Sequence, residues 1–298
     1  MATNEQTENT IPAAHQETDA SDSNQQTETN NQVSHETTLY PEPILEIGKF
    51  TITNSLLNSW LAVLIIILGV LALRKKIKLI PRGLQNLWEI IIEGALKLAD
   101  SVTSDRKKSM KIFPIVFAIF IFVLINNWLG LLPGVGSIGF IEQHGGTSTF
   151  APFFRGSTAD LNTTLGLALF AVIGSNIFGI ITIGFWKHLN KFVNLKSFAE
   201  IPKKIRKEPF IVLINPIKAF VGIIELVGEL AKIASLSFRL FGNIFAGEVL
   251  LAAMAVIFAF ILPIPFIFLE LIVGIVQALI FAMLTLVYFT IASTAEEH

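Results

Sequence analysis

The chain has 298 residues, 52% of them apolar and only 15% charged, with a net charge of −1. A soluble domain carries about a quarter charged residues, and the mean hydropathy here is +0.64, so the composition excludes an ordinary soluble enzyme and points to a polytopic membrane protein. The near-zero net charge gives no support to a nucleic-acid partner, and the lack of cysteine excludes disulfides and thiolate metal sites.

Residues 1–40 are rich in Asn, Gln, Thr, Glu and Ser and poor in apolar side chains. Such a segment buries too little surface to offset the entropy of ordering, so a disordered polar tail is predicted. No basic residue precedes Lys49, so the tail lacks the positive start of a signal peptide. His15 and His35 fall within it and read as solvated side chains. Residues 41–298 read as one membrane-embedded domain.

The first apolar run, "TNSLLNSWLAVLIIILGVLAL" at 53–73, has the ~20 residues that a membrane-crossing helix needs. A basic segment follows. Within it Leu84, Leu87, Trp88, Ile91, Ala95, Leu98 and Val102 recur at helical spacing, with Glu89, Glu93, Lys97 and Asp100 between them. That pattern predicts an amphipathic helix lying on the membrane surface or against a cytoplasmic subunit. The second span is expected at 111–131, then a glycine-rich loop at 132–161 that reads as flexible, then the third span at 162–185. A second basic loop leads to the fourth and fifth spans, 216–262 and 264–292, divided by "LPIPF". At ~1.5 Å per residue the fourth run would reach ~70 Å as a helix, more than twice the hydrocarbon thickness. It must be bent, broken or steeply tilted.

Basic residues set the orientation. Segment 74–111 holds ten Lys and Arg and segment 187–208 holds seven, together 17 of the chain's 22. The loop 132–161 has only Arg155. The two basic segments are therefore expected in the cytoplasm, the tail and glycine-rich loop outside, and the C-terminus inside after five crossings. The fold class is an all-α polytopic membrane protein with about five crossing helices, including a long tilted or bent pair, plus an interfacial helix.

Ionisable residues inside spans are expensive and mark function by default. In the fourth span Lys218, Glu225, Glu229, Lys232, Arg239 and Asn243 fall on one polar stripe, with opposite-sign pairs at helical spacing or its multiples, such as Glu229–Lys232 at i,i+3 and Lys218–Glu225 at i,i+7. Glu248, nine residues past Arg239, points to the opposite face. In the last span Glu270, Gln277 and Tyr288 share one direction; a wet path or a polar interhelical seam explains Gln277 and Tyr288 equally well. Asp160 and Asn162 stand at the outer end of the third span, where helix capping accounts for Asp160 as well as function does. Phosphate loops, H-E-x-x-H and Rossmann glycines are absent, and His144 and His188 lack metal-ligand spacing.

"SLSFRLFGNIFAGE" (235–248) together with "QALIFAMLTLVYFTIAS" (277–293) resembles subunit a of the bacterial F-type ATP synthase. "FVLINNWLGLLPG" (122–134), "TADLNTTLGLAL" (158–169) and "INPIKAFVGIIELVGELAKIASLS" (214–237) are similar to its other segments, in order, so the resemblance covers about 40–298. It implies a non-catalytic stator subunit whose long helix pair faces a rotating ring of c subunits. Two offset aqueous half-channels would carry protons, or Na⁺, to and from the ring carboxylates. Arg239 matches the arginine between the half-channels; Glu248, Glu270 and Gln277 match outer half-channel positions; Glu225 resembles an inner one. Asp160 and Asn162 lie where the outer mouth is expected, and Asn243 orients neighbouring groups. Both outer acids are Glu here, where some relatives carry His. The implied partners are the c-ring, the b subunits of the peripheral stalk and, indirectly, F1, in the bacterial inner membrane, with no cofactor or metal. A secondary transporter is the alternative; the missing repeat symmetry speaks against it. A structural scaffold leaves the buried acids unexplained.

Overall fold

The structure, a computed structural model, describes residues 41–48, 50–74, 83–132, 138–144, 147–192, 211–258 and 261–294. The polar tail 1–40 and most of the second basic loop lie outside them.

A short antiparallel hairpin, β1 (Pro43–Ile47) and β2 (Phe50–Thr53), leads into α1 (Asn54–Arg74). Helix α2 (Leu84–Thr103) and helix α3 (Arg106–Leu131) meet at a tight corner. Ser104 there takes a left-handed backbone (φ 53°) and Asp105 caps α3 by accepting a bond from the Lys107 amide at 2.9 Å. Arg106 pairs with Asp100 across the corner. Strands β3 (Gly139–His144) and β4 (Thr147–Pro152) pair with each other within the glycine-rich loop. Residues 140–151 of this hairpin fall in a separate compact unit. Helices α4 (Leu161–Ile183), α5 (Phe185–Phe192), α6 (Ile211–Ile257) and α7 (Pro263–Ala292) complete the chain.

Five of these helices, α1, α3, α4, α6 and α7, are long and apolar enough to cross a membrane, at the positions the apolar runs predict. α6 is one continuous helix of 47 residues. The broken alternative therefore drops away, leaving a bend or a tilt. α7 begins with Pro263 in its first turn, where a missing N–H costs nothing.

Ile119 and Val123 of α3, Ala168 and Val172 of α4, Leu236 and Leu240 of α6, and Ala278 and Phe281 of α7 form one buried cluster. A second joins Ala99 of α2 to Ile112 and Val116 of α3 and to Ala282, Leu286 and Phe289 of α7. Alanine recurs at these contacts because lipid gives helices no hydrophobic reason to associate; small side chains let backbones approach and pack. α1 is different. It buries Asn54, Ser55, Asn58 and Ala62 but exposes Leu64, Leu68 and Leu71, a surface suited to acyl chains. α2 exposes Leu87, Ile90, Ile91 and Leu98, so its apolar side is available to a membrane surface.

Candidate functional site

The polar residues gather at the two ends of the helix bundle. At one end the chain returns from β4 into the 3-10 turn Ser157–Ala159 and then α4. Gly130 of α3 lets the returning chain come close: a Cβ built on it would lie 3.0 Å from the Gly156 Cα, tighter than ordinary contact. The segment is thereby drawn into the bundle, and Arg155, Ser157, Thr158 and Asp160 are all buried.

Asp160 is fully used as a structural group. Its Oδ1 accepts from the Asn162 amide at 2.9 Å, capping α4, and its Oδ2 accepts from Ser55 Oγ of α1 at 2.9 Å. Asn162 joins this cap through its backbone while its side chain is exposed. Around the turn, Ser157 donates to Asn126 Oδ1 of α3, and Thr164 bonds Ser237 of α6 at 3.2 Å. Asn127 donates to the Gly274 carbonyl of α7 at 3.0 Å. Both polar atoms of the Asn58 side chain, Oδ1 of Asn127 and Oγ1 of Thr158 are buried without a hydrogen-bond partner among the described residues. Leaving such a group unpaired costs about 1–3 kcal/mol; these four sit on α1, α3 and the 3-10 turn, which pack against one another.

Two acids, Glu248 and Glu270, stand on α6 and α7. Arg155, with its side chain 6% exposed, grips Glu248 on α6, 32% exposed. Nε donates to Oε1 at 3.1 Å and to Oε2 at 3.2 Å, and Nη2 donates to Oε2 at 3.0 Å. Glu270 of α7, 6% exposed, packs against the adjacent residue: a Cβ on Gly247 would come within 2.3 Å of its carboxyl carbon. Gly247 is thus the notch that admits the carboxyl, and Glu248 and Glu270 are brought to one place on the α6–α7 contact. Gln277 follows two turns along α7 and is half-buried.

At the other end, Glu229 accepts from Lys232 Nζ at 2.6 Å and from Asn176 Nδ2 of α4 at 3.2 Å. Asn176 Oδ1 lies 3.0 Å from His188 Nε2 of α5. Gly179 gives the His188 ring its space, since a Cβ there would lie 2.8 Å from Cε1. Lys232 stands 5.2 Å from the centre of the Tyr288 ring, within cation–π range. The stripe on α7 is therefore a seam with α6: Glu270 meets Gly247, and Tyr288 meets Lys232. Glu225 is half-buried one turn before Glu229.

Arg239 sits between the two groups and belongs to neither. It is exposed, and its one hydrogen bond among the described residues is from Nη2 to Ser235 Oγ at 3.4 Å. No described carboxylate pairs with it. Asn243, one turn on, is exposed as well. Lys218 lies outside the residues whose side chains are described. The sequence pattern did not single out Arg155, Asn58 or Asn127 for this site. Arg155 had one signal, as the lone cation of the 132–161 loop; the adjacent amides Asn126 and Asn127 in an apolar run were another.

Residues 56–290 match the ATP synthase A chain family. The chain belongs to that family. It is 34% identical to ATP synthase subunit a of Mycobacterium bovis over 257 residues, covering 85% of this chain and 91% of that protein. It is 32% identical to the Campylobacter concisus subunit a, over 80% of this chain and 88% of that one. Against the Syntrophobacter fumaroxidans subunit a it is 30% identical over 84% and 88%. As a member of the ATP synthase A chain family it is a multi-pass membrane component of the ATP synthase complex, with the stator proton-channel role in Fo; a secondary transporter is not favoured.

Proposed function

We propose that the two polar groups line two offset aqueous half-channels, and that Arg239 is the charge barrier between them. The observation that carries this reading is the exposed Arg239 held without an acid partner between two groups of acids. Glu248 lies nine residues after it and Glu229 ten before, ~14 Å and ~15 Å along the helix. Together they bracket a layer comparable to the ~30 Å hydrocarbon core.

In the outer half-channel, protons enter past Asn58, Thr158 and Asn127, whose buried polar atoms without a partner among the described residues call for water. Asp160 and Asn162 shape its mouth by fixing the start of α4. Glu248, Glu270 and Gln277 lead toward the exposed face of α6. Glu225, joined by Glu229, lines the route to the cytoplasm. The ring of c subunits rolls against the face bearing Arg239 and Asn243, with Asn243 orienting neighbouring groups. A guanidinium is effectively never deprotonated, so it favours the ionised form of a passing rotor carboxylate and blocks proton transfer straight from one channel to the other. Each charge crossing 100 mV gains ~2.3 kcal/mol, and several per turn can drive a phosphorylation.

The chain catalyses nothing alone. It works with the c-ring and the b subunits of the peripheral stalk, and with F1 indirectly. The N-terminus lies outside and the C-terminus in the cytoplasm of a bacterial inner membrane, with residues 1–40 a separate polar tail. Purification of the tagged chain tests the assignment: a stable complex with a c-ring and soluble catalytic subunits is expected, and a lone or self-associated chain would contradict it. Cysteine placed at Ser148 should react with an impermeant reagent from outside, and at Ser197, outside the described residues, only from inside.

A further inference from the structure

We infer that Arg155 is a positioning residue of the outer half-channel: it clamps Glu248 by both oxygens, making Glu248 a fixed counter-charge and leaving Glu270 as the carboxyl that carries the proton. The inference rests on the half-channel reading above and adds a division of labour between its two acids.

Three N–H···O bonds of 3.0–3.2 Å join Arg155 to the two oxygens of Glu248. A fork of this kind fixes the plane and the place of the carboxylate. The guanidinium is itself buried, and it is held on a segment whose path is set by the Gly130–Gly156 contact and by the Asp160 cap. The clamp is therefore rigid on both sides. For Glu248 to take up a proton, one oxygen must give up its bond to a buried guanidinium. Glu270 stands in contrast. Its carboxyl occupies the Gly247 notch and makes no hydrogen bond or ion pair among the described residues. Loading and unloading a proton there breaks no bond within the described residues. Removing either half of the clamp unbalances the pair, whereas removing both takes out one charge of each sign.

The test compares Arg155→Gln, Glu248→Gln, the double variant and Glu270→Gln in the whole complex, in inverted membrane vesicles. Proton-driven ATP synthesis is measured per assembled complex. Each single clamp variant should lose about tenfold and the double should return to within about threefold of wild type, the coupling expected of two groups that act as a unit. Glu270→Gln should stay lost. A double variant no faster than the slower single would overturn the inference, because Glu248 would then be needed as a proton carrier. Wild-type rates per complex in both singles would overturn it too, since a clamp that only braces the fold changes assembly and not turnover. Should Arg155→Gln fail to assemble, Arg155→Lys decides: it keeps the charge but not the fork, and should assemble and run slower than wild type. Failure of Arg155→Lys to assemble, or a wild-type rate, overturns the inference. A wild-type rate in Glu270→Gln sinks the half-channel reading itself; a slow Glu270→Gln beside an unrescued double sinks only the clamp.

Discussion

Two arginines of this molecule are kept in opposite ways. Arg155 is buried, forked onto a carboxylate and locked by three hydrogen bonds. Arg239 is exposed, and its one hydrogen bond among the described residues is to Ser235 at 3.4 Å. A charge taken out of water must be paired or it costs several kcal/mol, so Arg155 comes with its own acid. A cation at mid-span still costs about 2.5–3.5 kcal/mol on insertion scales, and a partner on the same helix would have relieved it. Lys232 shows that such pairing is available, because it bonds Glu229 at i,i+3. On our reading Arg239 is left unpaired because its partner arrives on the rotor. A permanent partner would occupy the place the moving carboxylate must visit.

The largest expected effect tests that contrast directly. Arg239→Ala should abolish ATP synthesis and ATP-driven pumping while the complex still assembles, and passive proton leakage through F1-stripped vesicles should persist or rise. Arg239→Lys should also be severely impaired, since an ammonium is more strongly hydrated, can deprotonate when buried and lacks the planar fork. Assembled Arg239→Ala complexes making ATP at normal rates would remove the barrier role altogether.

Next comes the notch. Gly247→Ala puts a methyl within 2.3 Å of the Glu270 carboxyl carbon, so the carboxyl must move. Overpacking of this kind costs about 1–3 kcal/mol, and synthesis should fall several-fold with a normal amount of complex in the membrane. An unchanged rate would mean that the position of Glu270 is immaterial to transport.

At the opposite end, Glu229→Gln keeps the hydrogen bond to Asn176 but removes the negative partner of Lys232. Lys232 is partly exposed, 29%, so the cost is discounted from the buried case to about 1 kcal/mol. A loss of a few-fold in coupled pumping is expected, clearly smaller than for Glu270→Gln. Equal losses would erase the distinction between a pair at the site's edge and a carrier within it.

The smallest effect is a control. Lys97 and Glu93 on α2 pair at 3.0 Å with side chains 72% and 66% exposed. Such pairs are worth about 0.3–0.5 kcal/mol, and Lys97→Ala should leave assembly and synthesis unchanged. A large defect there would show that α2 contacts another subunit through this face.

The sequence by itself determined the class, the five spans and the candidate acids, because lipid makes those signals local. A crossing helix must satisfy its backbone within itself and cover ~30 Å with apolar residues, so a run of Leu, Ile, Val and Phe states its own structure. A charge in such a run states its own cost, which is why Arg239, Glu248 and Glu270 stood out without any partner being known. Partners are not local, and only the tertiary structure decided them. Arg155 and Glu248 are 93 residues apart, and what joins them is a backbone contact between Gly130 and Gly156 that no periodicity encodes. Helix capping explained Asp160 in the sequence about as well as function did; the bond from Ser55, 105 residues away, ties it to α1 as well as α4. Helical spacing placed Arg239, Lys232 and Glu229 on one stripe and put Lys232 within reach of Glu229 at i,i+3, while packing set which of them stayed exposed. Spacing along one helix fixes direction, while the depth of burial and the identity of the neighbour are fixed by what the other helices bring.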